Sequence, residues 1–499
     1  MSEGNAHLGE RRLTSIHAIG QSLAIGPMFS AGLLTGLVAG VAGFSSPLSV
    51  LLGAIGGLCL AYVVSVYARR FSGVGAVYEY LVHGAHPAVG VFSAGLYGIG
   101  VLFLGGGGVF IANGFLAENF FSTHLSIHIT WWIWGLIALS IAVGLNHLGV
   151  RLAIRGVLAL AMVSLIPFLI LAISIIAQGG DAGNTLSAFG TSHSSLNGVF
   201  HGILFAVTLF IGFEAAASIG EESHNPHRSI PVALLGSVAL AGLFYLVVTY
   251  AAAIVFGVKG AATAWPTDPS PMGTLAQRYV GKGLSTTIDL VVLLDSISVA
   301  IAFVITGSRL FFALARDGLL PPLLARTSSH DTPLGGNLVI LGAGTAALLA
   351  AGFTTYGNGI QAPNNITFFQ LTAGAGSLLI EAVYAILAVA ALWLIWNMGG
   401  GMSRLWRMVV AAAGLATPVL AYYGTLHPYP PYPFDRQITF AAISVGLVAV
   451  WCLYLLLARP ERVRAAAAHA RVHHGVPPLD EELDFTPAEE PHGRPATPN

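Results

Sequence analysis

The sequence predicts an all-α membrane protein that crosses the bilayer many times. Three observations indicate this class: 55% of the 499 residues are hydrophobic, only 9% are charged, and the apolar residues form long runs between short polar segments. Soluble globular proteins carry about a quarter charged residues. A chain this apolar has too few polar groups to cover a surface in water, so we expect lipid to be its solvent.

Twelve apolar runs are long enough to cross a membrane, since a spanning helix needs about 20 predominantly apolar residues. Clusters of Pro, Asn, Asp and Gly, which favour turns, separate the runs. We number the runs spans 1 to 12 and keep these names throughout. They lie near residues 14–35, 47–68, 89–114, 130–148, 153–177, 197–219, 231–256, 286–314, 337–353, 367–396, 405–424 and 437–458.

The spans divide the chain into four parts. Residues 1–13 are a polar segment, residues 14–396 contain spans 1 to 10, and residues 405–458 contain spans 11 and 12. Residues 459–499 are polar and rich in proline near the end, so we expect a largely disordered tail.

Basic residues predict the orientation. With the N-terminus in the cytoplasm, only four of the 21 Lys and Arg residues fall on outer segments: Lys259, Arg278, Lys282 and Arg436. Inner loops of membrane proteins carry the excess of positive charge. We therefore expect both termini in the cytoplasm and the protein in the cytoplasmic (plasma) membrane.

Several other functions receive no support. The net charge of −1 indicates no nucleic-acid partner, and Cys59 and Cys452 lie in apolar runs where they suggest neither a disulfide nor a metal site. No Walker A loop is present, which argues against an ATP-driven pump. No nucleophile–base pair suggests an enzyme, so we expect no cofactor and no bound metal.

Two spans are interrupted at corresponding places. Pro27 removes a backbone donor in span 1 and disfavours helix at the residue before it. In span 6, Gly212 is permissive and Glu214 places a carboxylate at membrane depth. Interrupted helices five spans apart indicate a midplane binding site between inverted repeats. The candidate substrate-binding residues are Ile25, Gly26, Pro27, Met28, Phe29, Ser30, Gly212, Phe213 and Glu214.

The chain resembles the amino acid–polyamine–organocation (APC) permeases over about residues 12 to 458. Four groups of residues carry the resemblance. They are Arg309 with Phe312-Ala313 and Ala315-Arg316-Asp317-Gly318-Leu319-Leu320-Pro321; Gly212-Phe213-Glu214 with Glu221-Glu222, Asn225-Pro226, Arg228 and Ile230-Pro231; Arg69-Arg70-Phe71 with Gly75, Tyr78 and Tyr80; and Asn146 with Gly149-Val150-Arg151.

The resemblance implies a LeuT-type fold. Spans 1–5 and 6–10 would be inverted repeats, and spans 11 and 12 peripheral. It further implies a secondary transporter that moves amino acids or related amines by alternating access. In the family, amides of the span 1 break hold the substrate carboxylate, and carbonyls of spans 1 and 6 hold the amine.

Pro27 departs from the family pattern, because many members carry Gly-x-Gly at this break. Proline offers no N–H, although the amides of Met28, Phe29 and Ser30 could still face an anion. Some relatives with proline there resemble polyamine or amine importers, which need no site for a carboxylate. An amine importer or exchanger is therefore the alternative substrate class.

The coupling ion stays open between a proton and sodium. Some proton-coupled relatives carry a lysine near the position of Ser164, and a hydroxyl cannot replace its ammonium group. A sodium ion could occupy this space instead, with Ser296 or Ser298 as ligands. The alternative for each serine is a bond back to a carbonyl one turn away. Glu214, Asp295 and Glu381 are the candidate proton carriers, since ionisable groups at membrane depth are usually functional.

Charged residues at the inner ends of the spans suggest a gate. Glu221, Glu222 and Arg228 could pair to close the inner side, while Arg316 and Asp317 could pair at the interface and Gly318 could end span 8. The alternative is that these residues only anchor helix ends. A function of another class, a nutrient receptor that binds the same ligands without moving them, stays possible. The number of copies in the assembly is not predicted.

Overall fold

A computed structural model describes residues 22, 26–71, 77–148, 150–219, 225–354, 364–397 and 401–466. The described chain is all-helical, and within it β-pairing is limited to one isolated bridge between Thr327 and Pro333. The predicted all-α class is confirmed. Ile25, Glu221, Glu222, segment 1–13 and residues 467–499 lie outside the described residues.

The helices follow the predicted spans in order. They are Pro27–Phe29 and Thr35–Ala42 (span 1), Ser46–Ala68 (2), Pro87–Val101 and Phe110–Leu125 (3), Trp131–Leu148 (4), Val150–Gln178 (5), Leu196–Thr208 (6), Pro226–Gly260 (7), Lys282–Arg316 (8), Leu334–Phe353 (9), Asn364–Asn397 (10), Gly401–Leu426 (11) and Asp435–Ala458 (12).

Ten helical segments among the described residues are long and apolar enough to cross a membrane. One of them, Pro27–Ala68, covers both span 1 and span 2. The chain turns between these two spans at Gly43, where φ is 58°. Span 5 is a helix of 29 residues, Val150–Gln178, and its stretch Ser164–Gln178 is apolar. The predicted count of twelve therefore stays a prediction.

Two segments differ from the predicted boundaries. Span 3 continues to Leu125, beyond its predicted end at residue 114, because helical hydrogen bonding extends past the apolar stretch into polar residues. The connection between spans 7 and 8 contains a short helix, Pro271–Tyr279, that its proline content does not predict. Proline is tolerated at the first position of such a helix.

Close helix contacts bring spans 3, 8 and 10 around the centre of the protein. A Cβ built on Gly105 of span 3 would lie 2.7 Å from Cδ1 of Phe303 in span 8, and one built on Gly376 of span 10 would lie 2.9 Å from the Gly100 carbonyl oxygen. Small residues at such contacts let helices approach in a membrane. The glycine run of span 3 is π-helical over Leu102–Val109.

Large apolar side chains on the outer helices face away from the protein. Ile173 of span 5 is 64% exposed, and Val450 and Leu457 of span 12 are 69% and 74% exposed. Exposed apolar surface of this extent indicates contact with lipid. Spans 1, 6, 8 and 10 have mostly buried residues and form the interior.

Candidate functional site

Span 1 is interrupted at Gly26. Its φ of 56° and ψ of 73° lie in the left-handed region, which glycine adopts without the penalty of a side chain. The helix starts at Pro27, whose fixed φ suits a first helical position. It continues through a π-helical turn, Ser30–Leu34, to Ala42. The helical stretch that ends at Ala42 therefore begins at a backbone break.

A carboxylate from span 8 accepts hydrogen bonds from the backbone amides after this break. Met28 and Phe29 donate backbone hydrogen bonds of 2.8 and 2.9 Å to the same oxygen, Oδ2 of Asp295. Asp295 is fully enclosed, with 1% of its surface exposed. Amides at the start of a helix have no partner within the helix, and together with the helix dipole they stabilise an anion at this position. The sequence placed Asp295 among the proton carriers, whereas the structure joins it to two predicted substrate-binding residues.

Span 6 is interrupted at Gly212. The helix Leu196–Thr208 ends shortly before this glycine, whose φ is 111°, and a 3-10 helix, Phe213–Ile219, follows. Glu214 is fully buried in that segment, and its Oε2 accepts a 3.0 Å hydrogen bond from the Gly212 amide. The carboxyl group therefore binds the backbone of the break in which it lies.

Two tyrosines that sequence reasoning missed face Glu214. The Tyr97 hydroxyl of span 3 donates to Oε1 of Glu214 at 2.7 Å. Tyr384 of span 10 interacts with the same carboxyl, and its ring centroid lies 5.8 Å from that of Phe213. The available sequence signal was a tyrosine in an apolar run, which does not identify the group that its hydroxyl will contact.

Serine hydroxyls connect the two interrupted spans. Ser22, on the inner half of span 1, donates to the Phe213 carbonyl at 2.9 Å and lies 2.7 Å from Oγ of Ser237 in span 7. On the other side of the break, the Ser30 hydroxyl lies 3.5 Å from the Leu209 carbonyl oxygen. The breaks of spans 1 and 6 are therefore neighbours in the interior, as the inverted-repeat arrangement requires.

Aromatic rings pack beside the break in span 1. Phe29 and Phe369 of span 10 meet edge-to-face with centroids 6.5 Å apart, and Phe115 of span 3 meets Phe369 at 5.9 Å. Such pairs stabilise packing by about 0.5–1.5 kcal/mol beyond the area they bury. They form an apolar wall that joins spans 1, 3 and 10.

The three candidate sodium-ligating serines have different surroundings. Ser296 and Ser298 donate to the Leu293 and Leu294 carbonyls, which is the local bonding that a serine in a membrane helix commonly makes. Ser296 also donates to Asn113 of span 3 at 3.1 Å. Ser164 is buried, and its hydroxyl has no hydrogen-bond partner among the described residues.

Glu381 of span 10 has the least polar surroundings of the three candidate proton carriers. It is completely buried, and neither of its carboxyl oxygens has a hydrogen-bond partner among the described residues. Glu214 and Asp295 are each held by two hydrogen bonds instead. An isolated carboxyl group in an apolar interior favours its neutral, protonated form.

Charged side chains meet at the inner end of span 8. Arg316 lies 3.6 Å from Glu79 and 3.8 Å from Asp317. Asp317 also accepts a 2.7 Å hydrogen bond from the Tyr78 hydroxyl, and burial together with this carboxylate raises the pKa of Tyr78, which keeps the phenol protonated. Gly318, with φ of 76°, follows the end of the helix. This cluster ties span 8 to the helix Val77–Gly84.

Two further residues of the predicted inner gate lie along spans 8 and 7. Arg309 is 1% exposed within span 8, and Arg228 is exposed in the first turn of span 7. Glu221 and Glu222 lie outside the described residues. The pairing predicted for these residues therefore stays a prediction.

A second polar cluster lies at the outer end of span 8. The Asp289 carboxylate lies 2.9 Å from Nε2 of His124 and accepts a hydrogen bond from the Ser270 hydroxyl. His124 lies in the last turn of span 3, and Ser270 precedes the helix Pro271–Tyr279. The neighbouring Asp268 is half-buried, and this burial raises the pKa of its carboxyl group. The outer loop is thus attached to both spans that line the centre.

A cavity of about 810 Å³ opens between spans 1, 6 and 10 and the loop that joins spans 11 and 12. Leu37, His201, Gln370 and Tyr429 are among its lining residues. Gly26, Gly212 and Glu214 do not line it. The cavity therefore lies beside the loop that joins spans 11 and 12 and not at the paired breaks.

Comparison with solved structures identifies the fold. The chain superposes on the crystal structure of a manganese transporter from Eremococcus coleocola with a TM-score of 0.53, covering 93% of this chain and 100% of that one at 13% identity. The two share the LeuT-like fold of the APC transporters. An identity this low carries the fold alone.

Comparison with curated proteins finds permeases and transporters. The chain is 27% identical over 146 residues to the branched-chain amino acid permease BcaP of Lactococcus lactis and 30% identical over 157 residues to the methylthioribose transporter of Bacillus subtilis. It is 26% identical over 354 residues to the mitochondrial cationic amino acid transporter 3 of Arabidopsis thaliana. These matches span 29%, 30% and 66% of this chain and 30%, 33% and 56% of the relatives.

A family model matches most of the chain. The model described as amino acid permease matches residues 21–458, which include both interrupted helices, the Asp295 contact and the cluster at the inner end of span 8. The match thus covers the whole helical region in which the site was found. The chain is accordingly a member of the amino acid permease family of multi-pass membrane proteins.

Proposed function

We propose that this protein is a secondary transporter that moves amino acids or related amines across the cytoplasmic membrane by alternating access. One observation carries the proposal: two helices are interrupted side by side in the interior, and each break has a buried carboxylate bound to its backbone amides. Irregular backbone at membrane depth is tolerated where it is buried in protein or lines a cavity. Such breaks are where transporters of this fold bind solutes.

The contacts around the breaks divide the protein into parts that can move against each other. Hydrogen bonds connect span 1 to spans 6 and 7 through Ser22. Span 8 is attached to the helix Val77–Gly84 through Asp317 and to the loop between spans 7 and 8 through Asp289. In the proposed cycle, opening of one of these end clusters exposes the breaks to one side of the membrane while the other stays closed.

We propose a proton as the coupling ion, with Glu381 and Glu214 as the residues that carry it. Glu381 is buried without a hydrogen-bond partner among the described residues, so its charge would be stabilised only when the surroundings open to water. Glu214 lies at the break, where a substrate amine could displace its tyrosine partner. Sodium at Ser164 is the competing possibility and an outcome of the experiment below.

The named relatives support a small polar solute as cargo. The most similar ones include a branched-chain amino acid permease, a methylthioribose transporter and a D-serine/D-alanine/glycine transporter. Because the aligned part covers less than two thirds of each relative's length, the substrate and the direction of transport are proposals for this chain. The inner location of both termini and the cytoplasmic membrane are proposed from the distribution of basic residues.

Uptake by proteoliposomes tests the proposal. The purified full chain is reconstituted, and accumulation of labelled branched-chain, small neutral and cationic amino acids and of short amines is followed with an imposed proton gradient, an imposed sodium gradient or none. We expect accumulation that needs the proton gradient and is abolished by a protonophore. Accumulation driven by the sodium gradient alone would identify sodium, and not a proton, as the coupling ion. Binding without accumulation in any condition would favour the receptor instead.

A further inference from the structure

The anion position of the span 1 break is already filled by the protein. Oδ2 of Asp295 receives the amides of both Met28 and Phe29. Pro27, the residue before them, has no N–H, and the Ser30 amide donates a 2.8 Å hydrogen bond to the Gly26 carbonyl. The first amides of the helical stretch that runs on to Ala42 therefore have internal acceptors. A carboxylate from outside would have to displace a side chain to reach them.

Span 8 is packed against this break along one helical face. Val292, Asp295 and Val299 recur at spacings of three and four residues, which places them on the same side of a helix. A Cβ on Gly26 would lie 1.9 Å from Cγ2 of Val299, and a Cβ on Gly32 would lie 2.6 Å from Cγ2 of Val292. The two valines thus seat Asp295 at the break, where the glycines leave just enough room.

Displacement of Asp295 would leave a buried charge without a partner. The residue is 1% exposed, and its carboxyl group accepts hydrogen bonds from the two amides. A buried charged group that loses its hydrogen bonds is strongly unfavourable. A second carboxylate at the same place would also face like charge, which is unfavourable at close range.

The remaining chemistry of the site favours a cation. Glu214 places a second carboxyl group at the neighbouring break. Span 8 contacts that break as well, because Ala302, seven residues after Asp295, packs with Ala215. Two carboxyl groups, one at each break, complement the ammonium group of a ligand and repel its carboxylate.

We propose that Asp295 is a built-in substitute for a substrate carboxylate, so that this transporter selects amines that lack a carboxylate over the matching α-amino acids. The inference rests on the proposed transport function and specifies its substrate class. Asp295 is here a specificity-determining residue: it satisfies the amides of the break permanently, and the ligand supplies only the positive charge.

Matched ligand pairs test this assignment. Cadaverine and lysine differ by one carboxylate, as do isobutylamine and valine. Binding is measured as ligand-induced thermal stabilisation of the purified full chain, and exchange as counterflow in proteoliposomes. We expect the amine of at least one pair to bind at least about tenfold more tightly than its amino acid, the ratio that 1.4 kcal/mol of discrimination produces.

Variants at Asp295 separate charge from shape. Asp295→Ala empties the anion position, and we expect it to lose the amine and to gain the matching amino acid, whose carboxylate then reaches the amides of Met28 and Phe29. Asp295→Asn keeps an acceptor for both amides, so its fold is preserved even if the alanine variant fails, and it should reduce the amine preference. Thr287→Val, an exposed change on the same helix, should leave the preference unaltered.

Three results contradict the proposal. If the wild type binds the amino acid of both pairs more tightly while still catalysing counterflow, Asp295 is not a substitute carboxylate, although the transport function stands. An unchanged preference in both Asp295 variants leads to the same conclusion. Failure of every amine and amino acid to bind or exchange would overturn the transport function and this specificity together.

Discussion

The hydroxyl of Tyr97 donates a 2.7 Å hydrogen bond to Oε1 of Glu214 and so joins span 3 to the break in span 6. Both residues are buried, and the second oxygen of the carboxyl group binds the Gly212 amide. The bond therefore couples the wall of the proposed site to its interrupted helix. A ligand amine that reaches Glu214 has to compete with this hydroxyl or bind beside it.

We expect Tyr97→Phe to weaken uptake by about tenfold or more, because hydrogen bonds to charged groups contribute about 1.5–3 kcal/mol. Initial rates over a substrate range measure the change. Tyr454→Phe, on the exposed face of span 12, is the matched control and should retain wild-type rates. Equal rates for the two variants would show that the hydroxyl is dispensable.

Glu214→Gln should nearly abolish transport. The amide keeps the size of the side chain and can still accept the Gly212 hydrogen bond, but it carries neither a negative charge nor a releasable proton. An ionisable group at membrane depth is retained mainly for function, since it is costly to bury. Uptake and counterflow are both measured, and wild-type values in both would remove Glu214 from the mechanism.

Gly26→Ala should prevent stable folding of span 1 around its break. An alanine there has to adopt φ near 56° and places its Cβ 1.9 Å from Cγ2 of Val299. The left-handed conformation alone costs about 1–2 kcal/mol for a residue with a side chain. The double variant Gly26→Ala/Val299→Ala relieves the clash and should recover part of the melting temperature. No recovery would assign the whole defect to the backbone.

Gly424→Ala should destabilise the contact between spans 6 and 11. Its Cβ would lie 2.1 Å from the His201 amide nitrogen, where backbone rather than a flexible side chain would have to move. Overpacking of this kind costs about 1–3 kcal/mol. Gly446→Ala in span 12, whose Cβ would meet nothing within 4 Å, is the control. Thermal unfolding in detergent compares them, and equal melting temperatures would contradict the close approach.

Asp268→Asn should stabilise the outer loop in a pH-dependent manner. Burial raises the pKa of Asp268 above its ordinary value of 3.8, so folding disfavours the charged form. The penalty develops as the pH rises above that value and is absent well below it, where both states are protonated. The variant should therefore exceed the wild type in melting temperature at neutral pH and approach it near pH 4. A pH-independent difference would refute this explanation.

The order and the class of the helices could be predicted from the sequence. Long apolar runs separated by Pro, Asn, Asp and Gly indicated where spans lie, because a bilayer demands about 20 apolar residues per crossing. The interruption at Gly26 followed from the proline after it, and that at Gly212 from a carboxylate beside a glycine. Both depend on local backbone chemistry, which neighbouring residues in the chain determine.

The end of span 3 and the helix Pro271–Tyr279 could not be predicted in the same way. Polar residues near Leu125 and prolines after residue 264 reduce hydropathy, yet they do not prevent helical hydrogen bonding. Hydropathy reports the solvent around a helix and not its length. Boundaries at the membrane surface are therefore the least predictable part of the fold.

By itself the sequence determined that this is a many-helix membrane protein with two interrupted spans and three acidic residues at membrane depth. Only the tertiary structure decided what those acids do: Asp295 binds the amides of span 1, Glu214 meets Tyr97, and Glu381 has no hydrogen-bond partner among the described residues. The reason is that local chemistry sets where a helix breaks, whereas the partner of a buried carboxylate comes from a span far away in the chain and depends on how the helices pack.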